Sequence, residues 1–121
     1  MSAPNLVNVS TITAKSVQAA LTTTLTTEIL ANASSSGKVF KVNNVLVANI
    51  DGSSAVDISV FITKSGGSPL AIASTISVPA DATLTVIDKD TALYLEEGDN
   101  IEAGAGAASD AVITINYEEL S

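Results

Sequence analysis

Turn signals divide the sequence into short segments at regular intervals, and this spacing limits the possible folds more than any other feature. Clusters rich in Gly, Ser, Asp and Pro recur roughly every 12 to 18 residues, at 34–37, 51–54, 65–69, 79–81 and 97–99. Glycine supplies positive φ angles there, and Asp and Ser side chains hydrogen-bond to nearby backbone. Many short segments between turns are typical of an all-β sandwich or barrel, and they leave little room for helices.

The segments between these turns show the alternation expected of strands. At residues 56–63 and again at 111–118, every second residue is apolar, so one side of each segment can face a core. Residues 39–50 predict a central strand with a bend near Asn43 and Asn44, because residues 45–48 are apolar on both sides. Shorter strands are predicted around 70–78, 84–86, 93–95 and 101–107.

Together these segments predict an all-β fold, an antiparallel β-sandwich of jelly-roll or immunoglobulin-like type with eight or nine short strands. Two segments are ambiguous. Leu21, Leu25 and Ile29 have the spacing of a helix stripe, but the threonines between them favour a strand, which is the interpretation we adopt. Residues 14–20 contain helix-forming residues that would allow one helical turn.

The length of 121 residues predicts one domain. We expect residues 1–13 to form an N-terminal arm or a first edge strand, and residues 14–121 to form a single β-sandwich domain. The start of the chain has neither a basic segment nor an uninterrupted apolar one, so we expect synthesis in a cytoplasm without a secretory signal. No stretch approaches 18 consecutive apolar residues, which predicts no membrane-spanning helix.

Several chemically useful residue types are missing from the composition. The chain has no His, Cys, Trp or Arg, so the usual general base, thiol nucleophile and bidentate phosphate ligand are all absent. We therefore expect a protein that is not an enzyme, with no catalytic residues, no cofactor and no metal site. The net charge of −8 would repel a polyanion, which disfavours direct binding of nucleic acid.

Charge is unevenly distributed along the chain. All five lysines precede residue 90, and the last third is acidic. This acidic segment is either a docking surface for a basic partner or a solvated face. The carboxylates at 88, 90, 96, 97 and 99 offer oxygen ligands, but their spacing matches no calcium loop. We expect neutralisation of Glu96, Glu97 and Asp99 to change thermal stability very little, with or without calcium.

Small side chains shape both the predicted core and one strand. With two Phe and two Tyr, the core must be built mainly from Val, Ile, Leu and Ala. Residues 104–109, GAGAAS, lack the third glycine of a dinucleotide-binding loop, and we interpret them as strand in which glycine lets another backbone approach closely. Because charged residues are only 15% of the chain, apolar surface is expected to be buried in an oligomer. A monomer with a threonine-rich surface is the alternative.

Several strand-end and turn motifs carry a resemblance to a known group of proteins. The motifs are LYLEEGDNI at 93–101 and INYEE at 115–119, together with SGKVFKV at 36–42, VANIDG at 47–52 and ASTISVPA at 73–80. In these motifs, which span most of the chain, the sequence resembles small virion structural proteins of tailed bacteriophages, particularly of cyanobacterial and marine phages. The resemblance implies no catalytic residue.

The resemblance implies a β-rich subunit located on the virion. The preferred interpretation is a capsid decoration or cement protein, a homo-oligomer such as a trimer, with other virion proteins, among them the major capsid protein, as partners. Residues 1–13 would then help to attach it to the particle. A neck, tail or fibre-adaptor subunit is the alternative, and a carbohydrate or host-surface binding module is an alternative of another class. In that last case Tyr94 and Phe61 would be the aromatic platforms.

Overall fold

The computed structural model describes residues 6–121, and this part of the chain is all-β with two antiparallel sheets. This confirms the predicted all-β class with antiparallel sheets, and the nine strands agree with the predicted number. The strands are β1 (Ile12–Ala20), β2 (Thr27–Ala31), β3 (Val39–Asn49), β4 (Val56–Thr63), β5 (Leu70–Val78), β6 (Thr83–Ile87), β7 (Leu93–Leu95), β8 (Asn100–Ala105) and β9 (Ala111–Leu120). Two single 3₁₀ turns lie at Leu6–Asn8 and Lys89–Thr91.

The chain crosses repeatedly between the two sheets, and only β4 with β5 and β6 with β7 are consecutive strands of one sheet. The first sheet has the order β1-β9-β3-β6, with β7 also paired to β3, and the second has the order β2-β8-β4-β5. Strands far apart in sequence are therefore neighbours: β1 pairs with β9, β2 with β8 and β3 with β6, while β4 pairs with the next strand, β5. The chain is arranged as nested antiparallel pairs around the connection between β4 and β5.

Most of the core comes from the apolar sides of strands that have a neighbour on each edge. In β9, Ile113 and Ile115 are fully buried, and in β4 Ile58 and Val60 are fully buried, as the alternation predicts. In β3 the register shifts between Val42 and Asn44, which confirms the predicted bend. The shift lets β3 stay paired with β9 over its whole length while its valines face the core.

The structure contradicts the strand predicted at residues 21–26 and decides the alternative left open at residues 14–20. Residues 21–26 are not a strand: Leu21 is buried, Leu25 is exposed, and β2 begins only at Thr27. Here the chain crosses from the first sheet to the second, so its hydrogen bonds are those of a turn, with the Thr27 N–H donating to the Thr24 carbonyl at 3.3 Å. Residues 14–20 form no helical turn because they pair continuously with β9.

This connection also explains the glycine-rich segment of β8. A Cβ atom placed on Gly104 would lie 2.4 Å from Leu25 Cα and 2.6 Å from the Thr24 carbonyl oxygen. The prediction that glycine permits close approach of another backbone is therefore confirmed at Gly104, and the approaching backbone belongs to the same chain. The predicted strand is wrong for residues 106–109, because β8 ends at Ala105 and a turn follows.

The predicted N-terminal arm is only partly within the described residues. Residues 1–5 lie outside them. The N–H groups of Ser10 and Thr11 donate to the Ser121 carbonyl at 2.7 and 2.9 Å, and β1 begins at Ile12, an edge strand that starts two residues before the predicted domain boundary. Across residues 6–121, no helix has the length and apolar character to cross a membrane.

Candidate functional site

Two buried asparagines hold the loops together at opposite ends of the two sheets. At one end, Asn32 Nδ2 donates to the carbonyls of Lys38 at 2.8 Å and Leu95 at 3.1 Å. At the other end, Asn49 Nδ2 donates to the carbonyls of Ser54 and Val78, both at 2.9 Å. Because a side-chain amide satisfies backbone groups of several loops at once, both ends of the fold are well defined.

Asp99 is the third buried polar residue that ties loops together, and its environment differs from the expectation. Its side chain is 1% exposed, and its carboxylate accepts hydrogen bonds from the N–H groups of Ser65 at 3.0 Å and Glu96 at 2.8 Å. Lys64 donates a further short hydrogen bond to it. This environment argues against the expectation that neutralising all three acidic residues of this turn has little effect, because the charge of Asp99 is paired inside the fold.

The same ion pair affects Lys64. The hydrogen bond to Asp99 raises the pKa of Lys64, and burial opposes this only in part. The ammonium group therefore remains charged next to a buried carboxylate, and it connects the β4–β5 turn to the turn that precedes β8.

The acidic residues of the last third do not form a common metal site. Within residues 6–121, no group of three or more acidic side chains is arranged to hold a metal ion. Asp88 caps the short turn that follows it, because its Oδ1 accepts from the N–H groups of Asp90 and Thr91, both at 3.0 Å. Glu96 points into solvent with 69% of its side chain exposed.

Strand β5 forms an exposed apolar edge of the second sheet. It pairs with β4 on one side and has no strand on the other in the described structure. Leu70 is 72% exposed, and Ile72 and Ile76 are 41% and 40% exposed. Residues 65–80, which include this strand, are the longest stretch of the sequence without a charged residue. An exposed apolar edge strand is typical of a surface that pairs with another chain.

The other edges carry features that discourage such pairing. Charged residues lie in the edge strands β1 and β2, at Lys15 and Glu28, and β6 has only five residues. In β5 the register against β4 shifts twice, and at one of these shifts Thr75 has a φ of 51° and donates its N–H to Ser59 Oγ at 3.0 Å. This bulge fixes the strand to β4 without covering its outer edge.

The outer side of the first sheet carries a polar groove of about 630 Å³. Three of the five lysines line it, namely Lys15 from β1, Lys41 from β3 and Lys89 from the turn before β7. In the described structure, neither Lys41 nor Lys89 has a carboxylate within salt-bridge distance, whereas Lys15 lies 3.2 Å from Glu119 Oε1. Two lysines without a salt-bridge partner and one glutamate, Glu118, therefore line the groove of a protein whose net charge is negative.

Hydrogen-bonded amides form the floor of this groove. Ser16 donates to Asn116 Oδ1, and Asn116 Nδ2 donates to Asn44 Oδ1 at 2.7 Å, so one chain of polar groups crosses β1, β9 and β3. Asn43 Nδ2 donates to Glu118 Oε1 at 3.2 Å. These contacts hold the amide groups of the groove in fixed orientations.

Glu119 lies near the end of β9, outside the residues that line the groove, and pairs with two lysines. Lys15 and Lys38 both lie 3.2 Å from its carboxylate oxygens, and its side chain is 13% exposed. Burial is the largest single influence and acts to raise the pKa of Glu119, but the hydrogen bonds and charges of the two lysines together lower it below its ordinary value. The carboxylate is thus held ionised between two ammonium groups.

The two predicted aromatic platforms lie on different sheets. Tyr94 is 44% exposed and is paired with Lys41 across β7 and β3, on the border of the polar groove. Phe61 is half-buried and lies in β4, paired with Glu102 of the second sheet. The structure therefore does not bring them together. Sequence reasoning missed the groove because its lysines lie on three separate elements, and no local pattern links them.

Comparisons with known proteins gave no assignment. No protein-family model matches the chain, and a search of curated proteins found no significant match.

Proposed function

We propose that this chain is a structural subunit of a tailed-phage particle, and that it acts as a capsid decoration or cement protein. The resemblance of its turn and strand-end motifs to small virion proteins suggests this role. The exposed, uncharged edge of β5 carries the argument for assembly. A protein that bridges subunits of a shell needs a surface of this kind, because strand pairing and apolar contact can form there without bringing like charges together.

We further propose that the fold is a jelly roll. In an immunoglobulin-like sandwich the first two strands are neighbours in one sheet, whereas here β1 and β2 lie in different sheets. A jelly roll agrees better with the observed topology, which has nested strand pairs in two sheets. Each sheet then has four strand positions, because β6 and β7 both pair with β3 and occupy one position together. Viral capsid domains use this fold, as do lectins, so the fold alone does not assign the function.

Binding to phage heads tests the proposal directly. Purified protein would be mixed with heads of the parent phage that lack it, and the bound protein would be measured after sedimentation. We expect saturable binding that Leu70→Lys weakens at least tenfold, because the substitution places a charge on the exposed edge of β5. Thr83→Lys in β6 is the matched control, since it adds the same charge to another exposed edge strand, and it should bind like the unmodified protein.

The mass in solution separates the decoration role from its closest alternative. Light scattering over a concentration series should give a trimer for a decoration protein, whereas a larger ring would favour a neck or tail subunit. Failure of the unmodified protein to bind heads, or equal binding by Leu70→Lys, would contradict the proposed role of β5.

A further inference from the structure

We infer that the polar groove on the outer side of the first sheet is a binding site for an acidic oligosaccharide, one whose sugar units carry carboxylates. This inference does not rest on the proposed assembly role, which uses β5 in the other sheet. It joins three observations: the convergence of lysines, the fixed amides of the groove floor and the exposed ring of Tyr94.

The charge of the groove selects an anionic ligand. Lys41 and Lys89 have no carboxylate partner in the described structure, and Glu118 is the one acidic residue that lines the groove. Because the Lys15 ammonium is paired with Glu119, the positive charge of the groove comes from Lys41 and Lys89, which outnumber Glu118 on a chain with a net charge of −8. A ligand with carboxylates would therefore be attracted to this groove and repelled by most of the remaining surface.

The neutral groups of the groove favour a sugar over a simple anion. Asn43, Asn44 and Asn116 provide amide groups that both donate and accept hydrogen bonds, which is what the hydroxyl groups of a sugar require. Glu118 can accept a hydrogen bond from a sugar hydroxyl that lies away from the sugar's carboxylate, whereas a phosphate or sulfate ion carries its negative charge on all of its exposed oxygens and would be repelled. Because the amides are held by hydrogen bonds to each other and to Ser16 or Glu118, they need little reorganisation on binding.

Tyr94 supplies the apolar contact that a sugar ring needs. Cross-strand partners in a sheet have their Cβ atoms about 5 Å apart, so the exposed ring lies next to the Lys41 side chain. A sugar stacked on Tyr94 would thus place a carboxylate within reach of Lys41. An aromatic surface beside a few fixed polar groups is the usual composition of a small-molecule site.

Calorimetric titration with defined oligosaccharides tests the inference. The probe is tetragalacturonate, which carries one carboxylate on each sugar, and cellotetraose is its neutral counterpart of similar size. Tripolyphosphate serves as a polyanion without sugar. We expect tetragalacturonate to bind at least tenfold more tightly than either of the others at low ionic strength.

Variants locate the site. Lys41→Gln and Tyr94→Ala should each weaken tetragalacturonate binding about fivefold to tenfold, while Tyr94→Phe, which keeps the ring, should bind within twofold of the unmodified protein. Lys38→Gln removes the same charge outside the groove and should also remain within twofold. Thermal unfolding of each variant establishes that it is folded, and an additional Lys89→Gln variant replaces any that is not.

Several results would overturn the inference. Absence of tetragalacturonate binding at millimolar concentration would do so, and so would equal binding of tripolyphosphate, which would indicate a general anion site. Equal losses in Lys41→Gln and Lys38→Gln would mean that only total charge matters. A change of oligomeric mass in Lys41→Gln without added sugar would mean that the groove is occupied by an acidic segment of a second copy.

Discussion

Strands β9 and β5 have similar apolar sequences but opposite environments. In β9, Ile113 and Ile115 are fully buried, whereas in β5 Ile72 and Ile76 are about 40% exposed. The difference follows from position: β9 lies between β1 and β3, and β5 has a partner only on the β4 side. The edge strand β5 therefore contributes Val78 to the core but leaves other apolar side chains exposed.

The largest expected effect comes from truncating an apolar side chain in each strand. Ile115→Ala should lower the free energy of unfolding by about 2 to 5 kcal/mol, because it leaves a cavity between the sheets. Ile76→Ala should cost less than half as much, since its side chain is already partly solvated. Chemical denaturation of both variants measures the difference, and equal losses would show that β5 is buried in solution, for example by a second copy.

A second prediction compares two glycines at the end of β8. Gly104→Ala should cost about 1 to 3 kcal/mol, because the new Cβ would collide with the backbone at Leu25. Gly106→Ala should be nearly neutral, since the closest atoms would be at 3.7 Å. Thermal unfolding of the pair checks this. Similar melting temperatures would mean that the connection between β1 and β2 does not pack on β8.

The third prediction concerns carboxylates of one turn. Asp99→Asn should cost about 1 to 3 kcal/mol, because it removes the charge that pairs with Lys64 and disturbs a buried hydrogen-bond set. Glu96→Gln should change stability by less than about 0.5 kcal/mol, as is usual for an exposed ion pair. Urea denaturation measures the free energy of unfolding of both variants. A negligible effect of Asp99→Asn would mean that the Asp99 carboxylate is solvated like that of Glu96.

The smallest expected effect is a pH dependence at the end of β9. The lysines around Glu119 lower its pKa in the folded state, so the folded protein binds this proton less readily than the unfolded chain. The resulting stability is present above the ordinary glutamate pKa of about 4.3 and is lost as the pH falls through the folded-state pKa. The acid side of the stability profile should be shallower in Glu119→Gln. An unchanged profile would show that the two lysines do not act on this residue in solution.

Much of the fold could be predicted because its signals are local. The alternation at residues 56–63 and 111–118, the bend near Asn43 and the turns between segments all follow from rules that involve a few adjacent residues. The segment at 21–26 could not be predicted in this way. Its β-branched residues favour a strand, but the segment connects β1 in the first sheet to β2 in the second. The sheet that each strand joins is decided by pairing with β9 and β8, which lie far away in the sequence.

The candidate site was hardly predictable for the same reason. Tyr94 was recognised as an aromatic platform, but its neighbour Lys41 lies more than fifty residues away. Asp99 was grouped with solvated acidic residues, because nothing adjacent to it indicates that the loop after β4 covers it.

By itself the sequence determined the all-β class, the number of strands and which side of each strand is apolar, since these depend on side-chain periodicity and turn chemistry. Only the tertiary structure decided which strands became edges, which carboxylate became buried and which lysines came together. Those outcomes depend on pairing between distant segments, and the energy of such pairing is a property of the assembled sheets rather than of any one segment.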